Sequence, residues 1–255
     1  MSKPRSGGCL SSAVVGGSAW RVGNVVLKPA DLLLEELQWL NAIPSKHEVA
    51  DGTRLSLPIK SSSGRLVVDG WIAFPFLEGQ WRPGRWAEIA TVAAQFASHF
   101  SAADRPSFLD ARDHAWARAD RFAWAESDEP EASAAPNVAV LAAARRPVSD
   151  ASCIVHGDLT GNVLFHSELG PAVIDPTVYW RPLMYSIAIV AVDAVCFEHA
   201  PLSLLKALHT DSSFLQFVIR ALLFRIVTDV LNGAAPASYR VYDDAVAHVL
   251  ERAAS

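Results

Sequence analysis

The chain has 255 residues, enough for one large domain or two modest ones, and its composition, 51% hydrophobic and 19% charged, is that of a folded globular protein rather than a disordered one. A formal net charge of -5, with no basic run of five or more residues, argues against a nucleic-acid groove. The three cysteines, Cys9, Cys153 and Cys196, are odd in number and too far apart for a disulfide framework or a Cys-x-x-Cys metal site, so a reduced, cytoplasmic setting is expected.

The first dozen residues, MSKPRSGGCLSS, lack the apolar centre of a secretory signal. Residues 11–28 then read as strand, turn, strand, turn and strand: SSAVV, GGSAW, RV, a Gly23-Asn24 hairpin turn, and VVLK. Residues 31–43, DLLLEELQWLNAI, place apolar side chains at 33, 34, 37, 40 and 43, which is helical spacing with Asp31 as N-cap and Pro44 as stop. TRLSLPIKSSSGRLVVDGWIAFPFLEG supplies two or three further strands around a Ser/Gly turn.

Beyond Gly79 the character changes. WAEIATVAAQFASHF and RDHAWARADRFAWAE read as helices, and SDEPEASAAP as a loop that contributes nothing to a core. SIAIVAVDAVCF carries Asp193 and is too short to span a bilayer, so it is expected as a buried helix, and no membrane association is implied. The predicted architecture is α+β in two parts: a small β-rich part over residues 1–77, and a larger, mainly helical part over 78–255.

One segment inside the helical part carries chemistry. CIVHGDLTGNVLF, residues 153–165, sets a short polar loop between two apolar runs, and HSELG then turns the chain into PAVIDP. That hairpin brings Asp175 back beside the loop bearing Asp158 and Asn162. Solvated surface acids rarely follow short apolar strands in pairs. Acidic and amide oxygens converging at strand ends suit Mg²⁺, which binds oxygen ligands and keeps substrate phosphates in its shell. An aspartate near the metal but free to accept a proton can orient an incoming hydroxyl.

HGDLTGNVLF…AVID resembles the catalytic segment of the aminoglycoside phosphotransferase and choline kinase-like family, relatives of the protein kinases. The resemblance runs over about residues 13–190. GGSAW stands where a glycine-rich phosphate loop belongs, VVLKP carries the strand lysine, and ELQWLNAIP resembles the family's Glu-x-x-x-Leu-x-x-Leu helix. IAFPFLEG resembles the hinge, and FASHFSAAD the helix that follows it.

The resemblance implies a two-lobed protein-kinase-like fold that moves the γ-phosphate of ATP, with Mg²⁺, to a hydroxyl of a small molecule. Backbone amides of Gly16, Gly17 and Ser18 would then cover the nucleotide phosphates. Lys28 would hold the α and β phosphates with Glu36 as its partner, and the hinge around Phe74 and Phe76 would take the adenine through its backbone. Asp175 and Asn162 would ligate Mg²⁺, and Asp158 would align the acceptor hydroxyl and take its proton. His156 is expected to brace the loop without a chemical role. Helical geometry selects Glu36 over Glu35, since at 100° per residue Glu36 falls between Leu40 and Trp39 on the inward side.

The sequence also departs from the family. Asn162 follows Asp158 by four residues where the kinase pattern HRDxxxxN has five, a tighter turn that Gly161 can absorb through positive φ. Pro176 follows Asp175, and Arg181 and Ser186 stand near positions where the family shows Gly-Asp-Pro and a further Asp. These changes are what a non-catalytic, nucleotide-binding relative would show. Retention of Lys28, Glu36, Asp158 and Asp175 together argues for activity, because a mere scaffold needs none of these polar groups near a cleft. A metal-dependent phosphatase would need an early Asp-x-His and a later Gly-Asn-His block, and the chain has neither.

The remaining expectations concern surroundings. Trp20, Trp71, Trp81 and Trp86 read as core or lobe-interface aromatics. Asp113, Asp120 or Trp124 are candidates to line the acceptor pocket, and the acidic stretch Glu126 to Glu131 to draw in a cation from a distance or simply to form a solvated loop.

Overall fold

A computed structural model of the chain describes residues 19–43, 52–208 and 213–253. Gly16, Gly17, Ser18 and Pro44 lie outside the described residues, and with them the glycine-rich loop. The first described hairpin is β1 (Trp20–Val22) and β2 (Val25–Pro29), closed by Gly23 at φ 58°, the left-handed conformation that a two-residue hairpin turn requires. The helix α1 (Leu34–Ala42) follows. Asp31 is not its cap: Leu33 holds that position in an extended conformation and no side chain caps the first turn.

Three more strands come from the Ser/Gly-rich stretch: β3 (Arg54–Leu55), β4 (Val67–Val68) and β5 (Trp71–Pro75). The small sheet runs β1-β2-β5-β4, all antiparallel, with Lys28 opposite Ile72 and Val26 opposite Phe74. β3 does not join it. It pairs in parallel with a strand more than a hundred residues later, as described below.

The helical part contains α2 (Trp86–His99), α3 (Phe108–Ala111), α4 (Ala115–Ala123) and α5 (Val138–Ala144). Between the last two, residues Pro130–Ala134 form a 3₁₀ turn, where Ala132 and Ala135 are buried and Glu129 is nearly so. The stretch expected as a loop outside the core therefore enters it. Small side chains allow the turn to pack closely, and Glu129 enters because Arg118 neutralises it.

The two apolar runs around the polar loop form β6 (Cys153–His156) and the hairpin β7 (Val163–Leu164) with β8 (Ala172–Val173), and the chain returns through β9 (Val178–Arg181). β6 pairs with β9, while β3, β8 and β7 form a second small sheet. Arg54 on β3 stitches this sheet to the chain leaving β5, donating to the Gly170 carbonyl at 2.9 Å and the Glu78 carbonyl at 2.7 Å.

The base is completed by α6 (Leu183–Phe197), α7 (Leu204–Ala207), α8 (Phe214–Leu231) and α9 (Asp243–Ala253). α6 is apolar and buried nearly all round, as a central helix must be, and α8 packs against both it and α4. Among the described residues no helix is long and apolar enough to cross a membrane. The result is a small β-sheet region carrying α1, set on a larger helical part.

Helix α1 joins the two. Its buried face is Glu36, Leu37 and Leu40. Leu37 packs with Leu66, Ile72 and Phe74 under the small sheet, whereas Leu40 belongs to the main core. Each such leucine, fully buried, stabilises the fold by about 1.5–3 kcal/mol.

Candidate active site

The polar loop hangs between β6 and β7. His156 ends β6, wholly buried, and its Nδ1 accepts the Asp158 N–H at 3.0 Å. That leaves Nε2 to carry the proton, and it donates to the Asp175 carbonyl at 3.1 Å. Ser186 on α6 donates to the His156 carbonyl at 2.6 Å. One imidazole thus ties the segment of Asp158 to the segment of Asp175. Burial pushes its pKa down to about 4, so the ring is neutral and its role is bracing.

Gly161 has φ 86°, and the loop closes in four residues as its glycine permits. The shortening has a consequence for Asn162. Its amide turns back on Asp158, donating to the backbone carbonyl at 2.7 Å and to the carboxylate at 3.2 Å. Gly157 is required for another reason: a Cβ there would sit 2.3 Å from the Tyr179 ring, which lies against the loop.

Asp158 and Asp175 line one cavity of about 390 Å³, together with Glu36, Arg112, Trp116 and Tyr179. Asp175 holds a left-handed backbone, φ 54°, and accepts an ion pair from Lys28 at 2.8 Å. Lys28 is therefore directed to the cavity, but its partner is Asp175 and not Glu36.

Glu36 corrects the expected pairing. It is buried, inward as helical geometry requires, and its two carboxylate oxygens accept from Nε and Nη2 of the Arg112 guanidinium. Arg112 in turn donates to the Val178 carbonyl at 2.6 Å. Burial raises the Glu36 pKa against the opposing pull of Arg112. The physical reason for the switch is that a long guanidinium enters from the helical part and supplies two donors to a carboxylate already out of water.

The hinge positions are occupied by packing. Phe74 is buried in the cluster beneath the small sheet, with the Lys28 ammonium 5.7 Å from its ring. The Phe76 N–H is committed to the Asn24 carbonyl at 2.8 Å, and its ring lies under the Arg21 guanidinium. The Pro75 carbonyl is taken by Ser56 and that of Glu78 by Arg54.

Asp158 also faces a second cavity, of about 320 Å³, on its other side. Its walls are aromatic and acidic: Trp81, Trp116, Phe197 and Tyr242, with Asp193, Glu198 and Asp229. With Asp158, four carboxylates line it against a single guanidinium, Arg225. Arg225 grips Asp193 and reaches Asp158 at 2.8 Å. Burial works against the Arg225 charge, but the two carboxylates outweigh it and hold its pKa above the usual value. Glu198 accepts the Trp86 indole N–H at 2.6 Å, and Asp229 the Tyr242 hydroxyl at 2.7 Å; both donors are neutral.

Several expected surroundings are corrected. Trp20, Trp71 and Trp81 are substantially exposed, and Trp81 walls the second cavity. Trp86 is partly buried against the core, as expected. From RDHAWARADRFAWAE, Arg112, His114 and Trp116 line the first cavity, and Trp116 also walls the second. Asp113 is exposed, Asp120 is buried against Arg181, and the Trp124 ring faces Arg181 and Arg220. In the acidic stretch Glu126 pairs with Arg181 and Glu129 with Arg118, so much of its field is neutralised locally.

Sequence reasoning passed over Arg112, Arg225, Asp193, Glu198 and Asp229. A signal existed for one of them: Asp193 interrupts an otherwise apolar helix, and a buried carboxylate demands a partner. Nothing local named that partner.

The model of the phosphotransferase enzyme family matches residues 28–214. No curated protein matches the chain. Among solved structures, an aminoglycoside phosphotransferase from Alicyclobacillus acidocaldarius is 16% identical, with 96% of this chain and 93% of that chain covered and a TM-score of 0.51. The AMP-bound spectinomycin phosphotransferase APH(9)-Ia is 15% identical, covering 93% and 90%, with a TM-score of 0.52. Both likenesses are to the fold, a small β-sheet region on a larger helical part.

Proposed function

The chain belongs to the phosphotransferase enzyme family, and on that premise we propose that it transfers the γ-phosphoryl group of ATP to a hydroxyl of a small, amine-bearing molecule. The observation that carries the proposal is the position of Asp158 in the shared wall of two cavities. One holds Asp175 with its lysine; the other is aromatic and rich in carboxylates. Phosphoryl transfer needs positioning and charge neutralisation more than covalent help from the protein.

In this reading the Lys28 ammonium exchanges Asp175 for the nucleotide phosphates. Asp175, which lines the cleft, suits Mg²⁺ as a carboxylate ligand, and the Asn162 side-chain oxygen would be a second. Among the described residues no cluster of three or more His, Cys, Asp or Glu side chains could hold a metal. Mg²⁺ tolerates so small a protein contribution because phosphates and water fill the rest of its shell. When bound, it would neutralise charge on the phosphates. Asp158 accepts the acceptor hydroxyl's hydrogen bond and takes its proton as the oxygen attacks phosphorus and ADP departs. Gly16, Gly17 and Ser18 would complete the phosphate cover.

The second cavity supports the acceptor class. Among the described residues Glu198 and Asp229 pair with neutral side-chain donors alone, and Trp81, Trp116 and Phe197 line the cavity beside them. Carboxylates with aromatic walls favour an alkylammonium over a neutral polyol. Spectinomycin phosphotransferase, whose fold the chain shares, acts by its name on spectinomycin.

A second reading has its own observations. Lys28 bound to Asp175 and Glu36 diverted to Arg112 suit a nucleotide-binding module that no longer transfers phosphate. Melting with and without millimolar ATP and Mg²⁺ tests nucleotide binding through the ligand-dependent rise in midpoint. Turnover of ATP against amino sugars, amino alcohols and neutral sugars then separates the readings. Transfer to amine-bearing acceptors, abolished in Asp158→Asn while the ATP-dependent rise persists, is expected. A rise without turnover on any acceptor selects the binding module, and neither signal rejects both.

A further inference from the structure

We infer that Arg225, anchored by Asp193, is a positioning residue that sets the orientation of the Asp158 carboxylate; this rests on the reading of Asp158 as the group that receives the acceptor hydroxyl. Arg225 projects from α8, 67 positions after Asp158, and only 6% of its side chain is exposed. Its Nε donates to Asp193 Oδ1 at 2.6 Å and its Nη2 to Asp193 Oδ2, so both oxygens of Asp193 are engaged. The same Nη2 reaches Asp158 Oδ1 at 2.8 Å. The Trp116 and Phe224 ring centroids each lie 5.2 Å from the guanidinium carbon. A planar fork held at one end by a carboxylate and flanked by rings presents its free edge in one direction only.

The loop has need of this. Asp158 is 41% exposed and sits on a turn one residue shorter than the kinase pattern, and its other side-chain hydrogen bond, from Asn162, is long at 3.2 Å. A half-exposed carboxylate with one weak local contact would sample several rotamers. Arg225 holds it from the helical base, through a separate element, and engages Oδ1. The less strongly held Oδ2 is then the oxygen available to the acceptor hydroxyl.

Asp193 accounts for the charge. Two carboxylates and one guanidinium leave the trio at -1, the charge Asp158 would have alone. An arginine without Asp193 would cancel Asp158 and oppose a cationic acceptor in the adjoining cavity. This also explains a carboxylate inside the apolar α6, where an unpaired one would be prohibitive.

The test compares wild type, Arg225→Met and Arg225→Lys in steady-state transfer from ATP and Mg²⁺ to an acceptor on which the wild type is active. Arg225→Met should lower kcat roughly 100-fold, the order expected when a reacting group is misplaced by about 1 Å. Its ATP-dependent melting shift should stay near wild type, its acceptor KM should not rise, since the cavity loses a positive charge, and added methylguanidine should restore part of the rate. A folded Arg225→Met with wild-type kcat, or a loss confined to KM, overturns the inference. Should Arg225→Met not fold, Arg225→Lys decides: its ammonium cannot span both carboxylates, so kcat should fall about tenfold, and an unchanged kcat overturns it. If the wild type transfers phosphate to no acceptor, the phosphotransfer reading is what has failed. The inference then stands or falls on a melting double-mutant cycle of Asp158→Asn and Arg225→Lys: additive shifts overturn it, non-additive ones support it.

Discussion

The ammonium of Lys28 stands 2.8 Å from a carboxylate oxygen of Asp175, across the gap between the small sheet and the helical base. Two groups assigned separate duties toward a nucleotide thus satisfy each other. Asp175 holds φ 54°, a left-handed backbone costing about 1–3 kcal/mol in a residue with a side chain. The neutral His156 ring, bonded to its carbonyl, helps to hold it there.

Both partners of that pair are partly exposed, so as a stabiliser it is worth only about 0–1 kcal/mol. Lys28→Met should therefore change stability in urea by less than about 1 kcal/mol. The same variant should lose the rise in melting temperature that ATP and Mg²⁺ produce. A retained rise would show that Lys28 is not a phosphate ligand.

Glu36 and Arg112 present the opposite case, because both are almost entirely buried. Glu36→Ala leaves the guanidinium unpaired out of water and should destabilise by about 3–5 kcal/mol. Replacing both, Glu36→Met with Arg112→Met, should cost distinctly less than Glu36→Ala alone. Equilibrium denaturation of the single and double variants checks this. Equal losses in both would mean that the pair's charge balance is not what matters.

His156 makes stability depend on pH in a defined direction. Its folded pKa, about 4, lies below the ordinary 6.5, so between these values the unfolded chain binds a proton that the native ring refuses. Stability is complete above pH 6.5 and falls as pH drops toward 4, by about 3 kcal/mol in all. Denaturant melts at pH 7.5 and 5 should show the loss in the wild type and a smaller one in His156→Gln. Identical slopes in the two proteins would remove His156 as the cause.

Asp229 offers a test of the second cavity as the proposed acceptor site. It accepts the Tyr242 hydroxyl and has no cationic partner among the described residues. Asp229→Asn keeps the shape and removes one negative charge, and should raise KM for an amine-bearing acceptor about tenfold while leaving KM for ATP unchanged. High salt should narrow the difference between the two enzymes, since it screens the charge that the variant lacks. An unchanged acceptor KM would place the amine elsewhere.

How much of this was readable beforehand differs residue by residue. The hairpin that returns Asp175 toward Asp158, the positive φ of Gly161 and the inward face of Glu36 all follow from short-range rules. Alternation, turn chemistry and the 3.6-residue period are written within a few positions of one another. The cap of α1 failed at the same scale, because Asp31 competes with an extended Leu33 that the apolar spacing could not distinguish.

What the order of residues settled alone was the polar loop between apolar strands and the family it resembles, and it singled out Asp158 and Asp175 for the proposed chemistry. Tertiary structure decided who their partners are: Arg225 for Asp158, Lys28 for Asp175, Arg112 for Glu36, and β8 for β3. These pairings join positions 67 to 147 residues apart, and which cation meets which carboxylate depends on how whole helices and sheets pack. A buried charge takes whatever opposite charge the packing delivers, and no local pattern records that choice.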